Sequence, residues 1–120
     1  MATLLAVPLS SWLNGGLFGG AAGYAAYYAG GNAGSKVTTV DKFAFPNDTR
    51  TTLATGLPTA IMALAGAANS GVAAYFAGGN TDATTWIDSI DKFAFSDDSR
   101  TTLTAVLSVA RSWTVGTANS

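Results

Sequence analysis

Apolar and polar residues alternate along this chain in short runs, punctuated by glycine doublets and Asn/Asp turns. In residues 37–45, VTTVDKFAF, an extended backbone puts Phe43 and Phe45 on one face and Val40, Lys42 and Ala44 on the other. Both faces carry apolar atoms, which predicts a sheet covered on both sides instead of one with a wet face. Upstream, the apolar residues 24–29 end at Gly30-Gly31, a doublet that turns the chain. Downstream, Pro46-Asn47-Asp48-Thr49 has turn chemistry: proline presets φ, and Asn and Asp bond back to their own backbone. Residues 50–54 are then predicted to return as the outer strand of a hairpin. Gly56-Leu57-Pro58 breaks the run ahead of a further strand over 61–68.

The same order recurs. Residues 41–53, DKFAFPNDTRTTL, and 91–103, DKFAFSDDSRTTL, share ten of thirteen positions, and the three changes exchange turn residues for turn residues. AYYAGGN at 26–32 returns as AYFAGGN at 74–80, and LAGAANS at 64–70 has a weaker echo, TVGTANS, at 114–120. A period near 50 residues indicates propeller blades or a solenoid. The second copy is predicted to place strands over 72–77, 85–95, 100–106 and 113–118. The chain then divides into 1–22, outside the repeat, and a repeat domain over 23–120, split at about 23–70 and 71–120. In 1–22 the Gly15-Gly16 and Gly19-Gly20 doublets suit either a hinged arm or a vestigial strand. Its opening residues lack the basic start of a secretory signal and are expected to belong to that arm.

The doublets Gly30-Gly31 and Gly78-Gly79, the aromatic just before each, and Arg111 at the expected start of an inner strand are similar to kelch-type propeller blades. The chain departs from that pattern where Leu53 and Leu103 stand in place of an outer-strand Trp and Ile61 in place of Arg. More closely, DKFAF, TRTTL and AYFAGGN together resemble the repetitive arrays of tail-fibre-like and other virion proteins of bacteriophages, including those of cyanobacteria. The resemblance implies an all-β fold of two four-stranded blades per chain and a non-enzymatic structural role. It also implies a virion or extracellular location, as a capsid decoration, tail or fibre component.

Propellers close with roughly four to eight blades, so two blades leave apolar flanks and open edges. A head-to-tail homo-oligomer is the expected remedy, a trimer giving a six-bladed ring being favoured, and an open helical fibre is the alternative closure. Residues 113–118 are expected to pair with the 24–29 strand of the next subunit, and the first twenty or so residues to dock on other virion proteins.

Composition narrows the chemistry. Net charge is -1, so no basic field for nucleic acid exists, and no run of eighteen apolar residues supports a membrane span. His and Cys are absent, which removes the usual general base and the thiolate ligands. No catalytic residue, cofactor or metal is therefore expected. Asp48, Asp97 and Asp98 could be imagined on calcium, but they match no calcium loop and are read as turn residues. Asp41 and Asp91 adjoin Lys42 and Lys92 and so point to the opposite face of the strand. They are expected to bond a loop backbone or an Arg of the neighbouring blade. Arg50 and Arg100 are expected to pair with Asp48 and Asp98, or with a carboxylate across the blades. Recurrence once per unit marks Gly30, Gly31, Gly78, Gly79, Asp41, Asp91, Phe43, Phe93, Asp48, Asp98, Arg50 and Arg100 as structural. Trp86 lies in a two-residue insertion of the second copy, between Asp82 and Asp88. These three would suit a surface glycan, the Trp stacking on a sugar and the carboxylates taking its hydroxyls. Packing between blades is the preferred reading for Trp86, as for Trp12 and Trp113.

Overall fold

The computed structural model describes residues 25–45 and 47–119, so Trp12, the glycine doublets before residue 23 and the proposed arm lie outside the described residues. The protein is all-β, with no helix among the described residues, and its strands form two antiparallel sheets. The first is the meander β1 (Ala25–Ala29), β2 (Val40–Ala44), β3 (Thr49–Thr52); the second is β4 (Ala65–Asn69), β5 (Ala73–Ala77), β6 (Ile90–Ala94), β7 (Arg100–Thr102). The repeat is kept in the register: Tyr27 pairs with Lys42 as Tyr75 pairs with Lys92, and Ala26 with Phe43 as Ala74 with Phe93.

Each glycine doublet turns the chain with positive φ, 67° and 108° at Gly30-Gly31 and 68° and 103° at Gly78-Gly79. A side chain at Gly30 or Gly78 would meet the carbonyl oxygen of Ile61 or Arg111 at 2.6 Å. That closeness lets the Gly31 amide donate to Ile61 O at 2.8 Å and the Gly79 amide to Arg111 O at 2.9 Å. Each unit is thus strapped by an irregular return segment. The Leu57 amide donates to Thr38 O and the Leu107 amide to Asp88 O, both at 2.8 Å.

Four strand expectations are corrected. The strand expected over 61–68 begins at Ala65 and belongs to the second sheet, because a tight turn, Val72 N–H to Asn69 O at 2.9 Å, folds β4 directly onto β5. The runs 37–45 and 85–95 pair only from Val40 and Ile90. The amides of Val37 and Ile87 are taken by Gly31 O and Gly79 O, each at 3.0 Å. Residues 113–118, with Arg111 just ahead of them, form no strand. Instead Gly116 lies against β4, so close that a Cβ there would meet Gly66 O at 2.6 Å.

The core lies between the sheets. Val40, with Tyr27 and Ala29 beside it on the first sheet, meets Ala74, Phe76 and Phe93 of the second, and Leu57 and Ile61 of the return segment close the end. Phe93 and Val40 are fully buried, and Phe93 stands edge-on to Phe76 with centroids 5.9 Å apart. Main-chain bonds add to this seam: Met62 and Asn80 exchange two, and the Trp113 amide donates to Ala63 O at 2.9 Å. Each sheet is covered on one face by the other. On the first sheet the opposite face shows Tyr28, Phe43 and Phe45, with Tyr28 65% and Phe45 48% exposed. Phe93 and its repeat counterpart Phe43 therefore have opposite fates: one is sealed in the seam, the other half-buried.

Candidate functional site

The densest polar chemistry sits at the rim of this seam. Strand pairing brings Tyr27 and Lys42 side by side on the inner face of the first sheet. The β6–β7 hairpin of the second sheet reaches over them. Its Asp97 Oδ1 accepts the Ser99 amide at 3.0 Å, an Asx turn that leaves Asp98 at φ 60° with its carboxylate free to cross the seam. Asp98 accepts from Tyr27 Oη at 2.5 Å and from Lys42 Nζ at 2.9 Å. Phe95 stacks on the Tyr27 ring at 5.3 Å, and Lys42 Nζ lies 5.7 Å from that ring's centroid. One turn further on, Arg100 Nη1 donates to Gly56 O of the first unit at 2.8 Å. A charge-assisted pair at a half-buried rim, packed under an aromatic stack, holds two sheets in one orientation.

Burial pushes the Tyr27 hydroxyl well above the ordinary tyrosine value, and the bond to Asp98 and its negative charge push it the same way. Folded Tyr27 therefore keeps its proton where the unfolded chain has lost it. Its stabilising contribution is complete below the ordinary value of 10.0 and is lost as pH rises from there towards the raised folded value. Thermal melts should show Tyr27→Phe less stable than the wild type at pH 7, with the two curves converging above about pH 10. Parallel curves would mean that the hydroxyl is not coupled to folding.

The repeated residues do not all behave as expected. Asp97 is the turn residue predicted, and its exposed carboxyl is held below the usual carboxylate range by the Ser99 hydroxyl and amide. Asp98 is not one, since its carboxylate crosses to the other unit. Asn47 Oδ1 makes the corresponding turn in the first copy, accepting the Thr49 amide at 3.3 Å, and Asp48 is left exposed at φ 56°. Among the described residues Asp41 and Asp91 bond neither loop backbone nor an Arg of the other unit. Each accepts a cross-strand hydroxyl within its own sheet, from Thr52 and Thr102 respectively, both at 2.5 Å. Arg100 takes a carbonyl, with Asp91 of its own sheet 4.0 Å away, instead of Asp98. Arg50 and Asp48 form no ion pair among the described residues.

Trp86 is not packed between the sheets: it is 54% exposed, and Trp113 is 80% exposed. Asp82 is occupied locally, accepting the amide and hydroxyl of Thr84 at 2.9 and 3.1 Å. Its carboxyl is held low by the Thr84 amide and then by the Thr85 hydroxyl. Asp88 contributes its carbonyl to the return segment. No bond joins these three into one cradle. Among the described residues no cluster of His, Cys, Asp or Glu could hold a metal ion, and no helix is long and apolar enough to cross a membrane. No protein-family model matches the chain, and no curated protein matches it.

Sequence reasoning missed the group formed by Tyr27, Lys42, Phe95 and Asp98. A signal for it existed: all four have identical counterparts in the other copy, Tyr75, Lys92, Phe45 and Asp48, although two arise upstream and two downstream in the unit.

Proposed function

We propose that this chain is a non-enzymatic structural subunit of a bacteriophage particle whose kelch-like blades join head to tail into a propeller ring. A trimer with six blades is the favoured closure. The observation that carries the reading is the asymmetry of burial: each sheet has one face sealed by its neighbour and one face open. The open face of the first sheet presents Tyr28, Phe43 and Phe45, too large an aromatic surface to be left in water without purpose. The outer face of the second presents Tyr75, Ala77, Ile90 and Leu103, all half-buried, in a concavity walled on one side by Arg111 and residues 114–116. Two unlike open faces suit a heterologous contact, which closes into a ring or runs on as a filament.

Edge geometry supports the same reading. Among the described residues β1 pairs only with β2, whereas its counterpart β5 has strands on both sides. Residues 115–119, the counterparts of Ala65–Asn69, already lie beside β4 at Gly116. In the ring they would add as the fourth strand to the three-stranded sheet of the next copy. The virion assignment rests on the resemblance of the repeat to phage arrays. Glycan binding rests on the exposure of Trp86 alone, with Asp82 spent on its own turn, and is the weaker reading.

Negative-stain electron microscopy of the purified chain, with peptide mass spectrometry of purified phage particles, tests the proposal. Discs of one size and recovery of the chain from particles are expected. Single small globules, or absence from every particle of a phage that encodes it, would overturn it.

A further inference from the structure

The seam inside the chain specifies how two copies meet. We propose that the open face of the second sheet docks on the open face of the first sheet of a neighbouring copy, with Asp48 of that neighbour gripping Tyr75 and Lys92. This rests on the ring reading and assigns its interface.

Within the chain, Tyr27 and Lys42 offer a hydroxyl and an ammonium to Asp98, 2.5 and 2.9 Å away, under the Phe95 ring. One unit on, Tyr75 and Lys92 stand side by side in the same register on the outward face of the second sheet. A carboxylate and a phenyl ring are needed to complete that arrangement. Both exist on the first sheet, on a hairpin of the same build: Asp48 at φ 56° against 60° for Asp98, and Phe45 48% exposed. Each of the four side chains of that arrangement therefore has an identical, exposed or half-buried counterpart. Among the described residues Lys92 and Asp48 have no ion-pair partner. Arg50 continues the pattern. Arg100 reaches Gly56 O across the seam, and the position equivalent to Gly56 is Val106, whose carbonyl needs no particular side chain to accept from Arg50 of the neighbour.

The alternatives for these faces are weaker. A foreign protein would have to present an aspartate and an aromatic at this spacing, which the chain's own first unit presents already. A ligand for the open aromatic face would leave Lys92 and Tyr75 unused.

Carbodiimide, which condenses a lysine amine with a carboxylate at zero length, is the direct probe. A mixture of natural-abundance and nitrogen-15 chains separates links within one copy from links between copies. The Lys42–Asp98 link is the internal control and appears within one isotope label. A Lys92–Asp48 link is expected, and half of it should carry mixed labels. Charge reversal is the second arm: Asp48→Lys and Lys92→Asp should each reduce the assembly to single chains with an unchanged circular dichroism spectrum, and the double variant should reassemble. If the wild type assembles but the link is missing and both single variants keep its mass, this interface is wrong while the ring reading survives. If the wild type is a single chain, both fail. Lys92–Asp48 links confined to one isotope label would overturn the assignment.

Discussion

Replacing Phe93 by alanine is expected to cost about 3–5 kcal/mol, the usual penalty for deleting a fully buried phenyl ring. Against a total stability of roughly 5–15 kcal/mol, that removes a large share of what holds a small domain folded. The ring has no exposure, stands edge-on to Phe76 and belongs to the same core as Val40 of the other sheet. Its loss opens a cavity at the seam that neither sheet can collapse into without breaking strand register. The counterpart change, Phe43→Ala, removes the same atoms from a half-buried position on the open face. In dilute solution it should cost about 1 kcal/mol, in line with partial burial. Urea denaturation of the two variants gives the comparison directly. Equal losses would show that the seam is not where the stability lies.

Gly79→Ala should be nearly as damaging. With φ at 103° the backbone lies where a side chain is strained at a cost of about 1–3 kcal/mol. The added Cβ would also come within 2.5 Å of the Ile61 side chain and 2.8 Å of Met62 O. Overpacking of that kind adds about 1–3 kcal/mol, so the sum is about 2–6 kcal/mol. Gly31 serves as the control. Its φ is 108°, but nothing stands within 4 Å of a Cβ there, so Gly31→Ala should show the conformational penalty alone. The difference between the two variants measures how tightly the first unit's return segment packs on the second. If the two melt together, the units are not in contact at Ile61.

The strands themselves were legible. Period-two alternation over DKFAF, the glycine doublets and the Asn/Asp turns located the seven strands with errors of up to five residues at their ends and added an eighth, over 113–118, that does not form, while the repeat foretold that the two units share one register. The return segments were not legible, since residues 53–64 are held by burying Leu57 and Ile61 and by main-chain bonds to Val37 and Thr38, none of which leaves a periodic trace. The sheet to which β4 belongs is hidden for a related reason. Sequence similarity marks where a unit recurs, but only the turn at residues 69–72 decides which sheet a shared strand joins.

Asp98 was hidden by its neighbour. Asp97 and Asp98 are equally good turn residues, and only the structure shows that the first takes the local bond and frees the second for partners 56 and 71 residues away. The tryptophans misled in the other direction. Large aromatics are mostly buried, yet Trp86 and Trp113 sit on surface segments of this chain, where their backbones, not their rings, join the bonding pattern. Recurrence marks Asp48 and Arg50 but did not single out Phe45, and the significance of all three lies in the contacts made by their counterparts Asp98, Arg100 and Phe95.

Native mass spectrometry across a dilution series, starting near 10 µM, tests the central claim most directly. A chain whose two open faces complete one another predicts a single closed assembly, three times the 12.1 kDa protomer for the favoured ring, that dissociates to single chains on dilution. A folded protomer of 12.1 kDa persisting at the highest concentration, with no larger species, would contradict it.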